Sequence, residues 1–286
     1  MTMPFSVFLA VLLGALLHAS WNALIKSSSD KALDTALIHS LGFFFALPLL
    51  LYTGLPVAAA WPYLLASTLI HIGYYAALSG AYQHGDLGFS YPIMRGCAPL
   101  LVALGSHAFL GESLSTAAWL GVAVICVGVV ALGLLPAGAK GASGKALGFA
   151  LCNAAIIAVY TVVDGLGVRA AGDAVAYVAA LFLFDGIPYL LLVLWRRDAA
   201  GRRLAWRYMA GRWRIAWLGT LASLGSYGIA LWAMTQAPVA VVAALRETSV
   251  LFAALIGTLF LREAFGPRRA LGVGMVLAGV MVLRGG

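Results

Sequence analysis

The sequence predicts an all-α integral membrane protein: ten transmembrane helices arranged as two inverted five-helix repeats around a central cavity. Three observations carry this expectation. The 286 residues are 63% hydrophobic and only 10% charged, with a mean hydropathy of +0.98, far from the composition of a water-soluble domain. Gly, Pro and charged residues divide the chain into ten uncharged runs of bilayer length. A gap-free match of residues 95–132 to 246–283 indicates a duplication.

A hydrocarbon core of about 30 Å needs about 20 apolar residues per helix. The first run, roughly 4–25, has no preceding Lys or Arg and exceeds a signal-peptide core, so a retained helix is expected. It contains LLHASWNALIK, in which His18, Trp21, Asn22 and Ile25 share one helical face. That stripe faces either a solute cavity or, through Asn22, a hydrogen bond to another helix. The second run, 33–53, holds Pro48, and the third, 62–83, places His71, Tyr74, Tyr75 and Tyr82 on one face. Trp61 and Tyr82 suit an interfacial aromatic belt, whereas His71, Tyr74 and Tyr75, nearer mid-helix, suit a cavity wall. The fourth run, 88–110, sets Tyr91 and Arg95 one turn apart and includes Pro92 and Pro99. Gly121 and Gly128 in the fifth, 115–135, and Gly272 and Gly279 in the tenth, 268–284, put small residues on one face for close packing. The sixth, 146–167, carries Tyr160, with Asp164 expected near its external end as an interfacial group. Asp185 and Pro188 lie in the seventh, 174–195, Tyr227 in the eighth, 214–236, and Arg246 and Glu247 in the ninth, 239–261. The four intrahelical prolines, Pro48, Pro92, Pro99 and Pro188, each remove a backbone hydrogen bond and are hinge candidates or ordinary packing features.

The net charge of +8 is unevenly placed. Fourteen Lys and Arg residues fall in the loops after runs 1, 3, 5, 7 and 9, and two, Arg169 and Arg284, on the other side. By the positive-inside rule both termini are external and the 195–214 loop is cytoplasmic, in a bacterial inner membrane. A bilayer explains the basic residues, so no nucleic-acid partner is expected. Cys97, Cys126 and Cys152 all lie inside apolar runs and read as small apolar side chains.

The duplication pairs Arg95 with Arg246, Phe109-Leu110 with Phe260-Leu261, Glu112 with Glu263, and Gly121 and Gly128 with Gly272 and Gly279. More weakly, it sets Trp21-Asn22 opposite Tyr160-Thr161 and Pro48 opposite Pro188, giving repeats 1–138 and 139–286. Five helices per repeat is an odd number, so the second repeat enters the membrane from the opposite side. FLGESLSTAAWLGVAVICVGVVALG and FLREAFGPRRALGVGMVLAGVMVLRG, in which Leu-x-Glu ends one helix and leads into a Gly-rich next one, resemble the EamA domains of the drug/metabolite transporter superfamily. Within it the chain looks most like an amino-acid exporter of the YddG type. The resemblance implies a central cavity lined by helices 1 to 4 and 6 to 9, and small-molecule export by alternating access. Many members are described with cytoplasmic termini, whereas the charge count here places them outside.

Charges near mid-membrane cost about 2.5–3.5 kcal/mol each on insertion scales, so they mark paired or functional positions. Arg95 and Arg246 each lie about seven residues into their helices, on the order of 10 Å deep, one on each side of the midplane. Each either holds a solute carboxylate or serves structure. Glu247 points about 100° away from Arg246, free to meet another helix, a solute amine or a proton. Asp185 is the deepest acid and a second proton-coupling candidate. Glu112 and Glu263 are expected as first-turn acids that complement the helix dipole. The expected solute-binding set is therefore His18, Trp21, Asn22, His71, Tyr74, Tyr75, Tyr91, Arg95, Tyr160, Tyr227, Arg246 and Glu247. No catalytic group, metal or cofactor is expected. GASGKALG at 141–148 lacks the spacing of a phosphate loop, and the five histidines show no H-E-x-x-H pattern. The expectation is a secondary exporter of small amphipathic metabolites, most of all amino acids. Other metabolite or drug classes remain open behind it, with an intramembrane enzyme or a channel further back. A monomer is compatible with everything above.

Overall fold

The computed structural model describes residues 3–84, 87–134, 144–259 and 266–285. Expectations resting on Lys140, Phe260, Leu261, Arg262 and Glu263, on the start of the 141–148 stretch, and on the side chains of Tyr75, Tyr82 and Arg268 fall outside the described residues. The described chain is helical throughout: α1 Phe5–Lys26, α2 Lys31–Thr53, a single 3-10 turn Ala58–Ala60, α3 Trp61–His84, α4 Leu87–Leu110, α5 Thr116–Leu134, α6 Gly144–Ala171, α7 Ala174–Trp195, α8 Ala199–Met234, α9 Val239–Arg246, α10 Ser249–Leu259 and α11 Pro267–Gly285. Each expected span falls on helix. Among the described residues, seven helical segments are long and apolar enough to cross a membrane, and Thr116–Leu132 is a shorter apolar helix.

The helix starts follow capping chemistry. Asp30, Asp173 and Asp198 accept backbone N–H bonds from Leu33 (3.0 Å), Val175 (2.8 Å) and Gly201 (2.7 Å) at the heads of α2, α7 and α8, each satisfying an orphan donor of the first turn. At the ends of α4 and α6, Gly111 (φ 65°) and Gly172 (φ 71°) take the left-handed conformation that reverses the chain cheaply only without a Cβ.

Two elements differ from the expectation. The 195–214 stretch is not a loop: α8 begins at Ala199 and runs 36 residues without interruption into the eighth span, about 54 Å of helix. Its extension is held by Arg212, which forks onto Asp34 of α2 (2.8 and 2.6 Å), while Arg197 pairs with Asp30 (2.8 Å) and the Asp30 backbone N–H donates to the Tyr208 hydroxyl (3.3 Å). The ninth span is broken. Between α9 and α10 the backbone bonds are i to i−3, Thr248 N–H to Leu245 and Val250 N–H to Glu247, a 3-10 turn of the kind that marks a bend. No proline lies there. The four prolines lie within helices as the sequence expects: Pro48 in α2, Pro92 and Pro99 in α4, Pro188 in α7.

The helices pack as α2 on α7, α3 and α4 on α6, α1 on α8 and α10, α4 on α5 and α9, and α5 on α11. The largest apolar core joins α6, α7, α8 and α9 around Tyr177, Leu231 and Leu245. Phe5, Leu9, Leu13 and Leu16 of α1 face outward as a stripe, whereas Val7, Val11 and Ala15 face in, the division that a lipid solvent imposes on a helix. The glycine seam is antiparallel: a Cβ at Gly121 would meet the Gly279 carbonyl at 2.9 Å, and one at Gly272 would meet that of Gly128 at 3.1 Å. The close packing expected from the glycine spacing thus occurs between α5 and α11.

Candidate functional site

A cavity of about 1070 Å³ runs into the helix bundle from the face that carries Lys26, Lys31, Arg196, Arg197 and Arg269. Of the expected solute-binding residues, His18, Trp21, Asn22, His71, Tyr74, Tyr91, Arg95, Tyr160, Tyr227 and Arg246 line it, and so does Asp185. Glu247 lines an adjoining recess with Arg95, Pro99, Tyr160 and Arg246. The first helix contributes through the face read from its spacing, because Leu13 and Leu16 turn to lipid and leave His18, Trp21 and Asn22 inward.

The wall is aromatic and its rings are interlocked. His18 meets Trp21 edge-on at 5.3 Å, and Trp21 meets His39 at 5.8 Å. His71 stacks on Tyr160 with centroids 4.5 Å apart, and Tyr74 stands perpendicular to Tyr160 at 6.1 Å. Such edge and offset contacts hold the rings in place beyond their burial. Asn22 donates from Nδ2 to the His18 carbonyl of its own helix (2.7 Å).

The two arginines expected on separate halves of the path converge on one recess, and their states differ. Arg95 is clamped by Glu247, Nη2 to Oε1 at 2.8 Å and Nε to Oε2 at 3.2 Å, with both side chains largely buried. That bidentate pair takes both oxygens of Glu247. Arg246 has no carboxylate within ion-pair distance among the described residues. Its guanidinium lies over the Tyr227 ring at 5.1 Å, a cation–π contact that steadies the cation in the cavity wall.

Two acids are not where the sequence put them. Asp164 is fully buried rather than interfacial. Helix α6 continues to Ala171, which sets Asp164 about two turns, roughly 10 Å, from the helix end. There its carboxylate accepts from the Tyr177 hydroxyl at 2.9 Å and from that of Tyr227. Asp164 thereby fixes the ring beneath Arg246, a role signalled in sequence only by an acid inside an apolar run. Glu112 does not serve α5, whose first turn is capped by Ser115 (Ala118 N–H to Oγ, 3.1 Å). With the chain reversed at Gly111, Glu112 instead caps α9, accepting from Val239 N–H at 2.9 Å, and pairs with Arg169 at 2.6 Å. Arg169 also donates to the carbonyls of Met234 (2.8 Å) and Ala237 (3.2 Å). This knot ties the ends of α4, α6, α8 and α9 together. Among the described residues no group of three or more His, Cys, Asp or Glu side chains is placed to hold a metal ion.

Residues 144–285, from the start of α6 to α11, match the model of the EamA-like transporter family. The second half of the chain is thus similar to that family. The likeness agrees with the seven helical segments long and apolar enough to cross a membrane, as in a multi-pass membrane protein. No curated protein matches the chain. A solved structure described only as that of a protein shares 20% identity and superposes with a TM-score of 0.77, over 97% of this chain and 96% of its own. The chain therefore has the fold of that structure along nearly its whole length.

Proposed function

We propose that the protein is a secondary transporter exporting small amphipathic metabolites that carry a carboxylate, amino acids being the first class to test, by alternating access. One observation carries this reading: Arg246, a cation without a carboxylate partner among the described residues, at the inner end of an aromatic cavity. A guanidinium inside a span costs about 2.5–3.5 kcal/mol on insertion scales. A ligand carboxylate would offset that cost, while the rings of Trp21, Tyr74 and Tyr160 accept an apolar body.

The halves 1–138 and 139–286 act here as inverted repeats. Exchanging them maps α3 on α6 onto α8 on α1, maps α4 on α6 onto α9 and α10 on α1, and leaves α2 on α7 and α5 on α11 paired. The antiparallel glycine seam, in which Gly121 faces Gly279 and Gly128 faces Gly272, is the self-complementary contact of a two-fold axis. In this reading the basic mouth is cytoplasmic in a bacterial inner membrane, the termini are external, and the Glu112–Arg169 knot seals the external side. Glu247 is occupied by Arg95, so Asp185 is the remaining candidate for proton coupling.

Flux into proteoliposomes tests the reading. Uptake should saturate and be competed by related solutes. Arg246→Ala should weaken uptake of free amino acids more than that of their amides. Linear, unsaturable flux would indicate a channel, and equal loss for acids and amides a structural Arg246.

A further inference from the structure

The charges around the cavity narrow the solute further than its size and rings do. Among the described residues seven basic side chains line it, Lys26, Lys31, Arg196, Arg197 and Arg269 toward the mouth and Arg95 and Arg246 within, against one acid, Asp185; Arg95 and Arg197 have carboxylate partners of their own. Mouth residues have a separate reason to be basic, since loops on that side follow the positive-inside rule. Arg246 has no such reason. It lies at the end of α9, inside the ninth span, with Tyr227 beneath it and no carboxylate partner among the described residues.

An amino acid needs an acceptor for its ammonium as well as a donor for its carboxylate, and the acids near the recess are already committed. Glu247 gives both oxygens to Arg95. Asp164 is fully buried, does not line the cavity, and is taken by the hydroxyls of Tyr177 and Tyr227. Only Asp185 remains, on the wall contributed by α7, beside His39. An ammonium brought to Arg246 would meet a guanidinium, the rings of Tyr227 and Tyr160 and, among the described residues, no carboxylate that lacks a partner. The mouth acts in the same direction, because even with Arg197 paired to Asp30 its lining side chains are mostly basic, and an excess of positive charge concentrates net anions and leaves a zwitterion unaffected.

We infer that the cavity selects organic anions, acids with a ring or other apolar body and no ammonium group, over zwitterions and cations of the same shape. This rests on the carrier reading above, keeps its carboxylate anchor, and ranks acids without an ammonium group ahead of the amino acids named there. Arg246 is the anion anchor, Tyr227 its platform, Asp164 the residue that positions the platform, and the rings of Trp21, Tyr74 and Tyr160 hold the body.

Three compounds with one ring system separate the possibilities. Indole-3-propionate, tryptophan and tryptamine share an indole and differ in net charge, −1, 0 and +1 at neutral pH. Their binding to the full-length protein in nanodiscs, read by calorimetry, should place indole-3-propionate about tenfold or more ahead of the other two, each factor of ten being about 1.4 kcal/mol. That lead should shrink as ionic strength rises. It should disappear in Arg246→Gln and persist in part in Arg246→Lys, which keeps the charge if Gln impairs folding. Tryptophan binding as tightly as indole-3-propionate overturns the inference, assigns the ammonium to Asp185, and leaves the carrier reading intact. Tryptamine binding most tightly overturns it too, as does a preference unaltered by Arg246→Gln. If folded protein binds none of the three, the inference and the carboxylate-anchored carrier reading fall together.

Discussion

At the scale of single residues, what matters around the cavity is which polar groups are already committed. Arg95 and Glu247 satisfy each other, Asp164 is satisfied by two tyrosyl hydroxyls, and Arg246 has a ring rather than a carboxylate. Asp164→Asn should cost about 1–3 kcal/mol, the usual loss when a buried charged hydrogen-bond acceptor is weakened. Unfolding in mixed detergent micelles measures this, and a variant as stable as the parent would show that the two tyrosines find other partners. The sequence marked Arg95, Arg246 and Glu247 because charges in apolar runs are conspicuous. It gave no means of pairing them, since a helical wheel says which way a side chain leaves its own helix and nothing about what stands opposite. The placement of Asp164 failed for a plainer reason. Its helix runs four residues past the expected end at 167, and one turn more turns an interfacial acid into a buried one.

At the scale of elements, the ten apolar runs were legible because bilayer thickness fixes their length and charged residues punctuate them. The break between α9 and α10 was not, as Arg246-Glu247-Thr248 contains neither Gly nor Pro; the backbone turns there while Glu247 is held by Arg95 of α4. The helical extension of α8 did leave a trace that composition alone obscured: Asp198 as N-cap, followed by Ala205, Tyr208, Met209 and Arg212 at helical spacing. The Glu112 cap on α9 was invisible, being a contact between elements 127 residues apart. Its energetic weight can be measured. Removing an N-cap acceptor costs typically about 1 kcal/mol, so Glu112→Ala should raise hydrogen exchange at Val239–Val242 by about fivefold or more through local opening. Exchange unchanged there would mean that water or Arg169 replaces the cap.

At the scale of the whole molecule, the cavity reaches the face that carries Lys26, Lys31, Arg196, Arg197 and Arg269, and the opposite face is tied at four helix ends by Glu112 and Arg169. In the reading proposed above the open face is cytoplasmic, and a labelling experiment tests it. In a variant lacking Cys97, Cys126 and Cys152, Ala253→Cys in the cavity wall should react with a membrane-impermeant thiol reagent in inside-out vesicles. Gln236→Cys, at the knotted face, should react in right-side-out cells. The reverse pattern would invert the topology. The same view gives α8 a mechanical meaning. One unbroken rod joins Arg212, anchored on Asp34 at the head of α2, to Tyr227, the platform of Arg246. Those residues are 15 positions apart, about 22 Å of helix. Pivoted at its anchored foot, such a lever carries Tyr227 sideways by about 2 Å for each 5° of tilt, given that length. Rocking of the basic foot and displacement of the cavity floor are then a single motion.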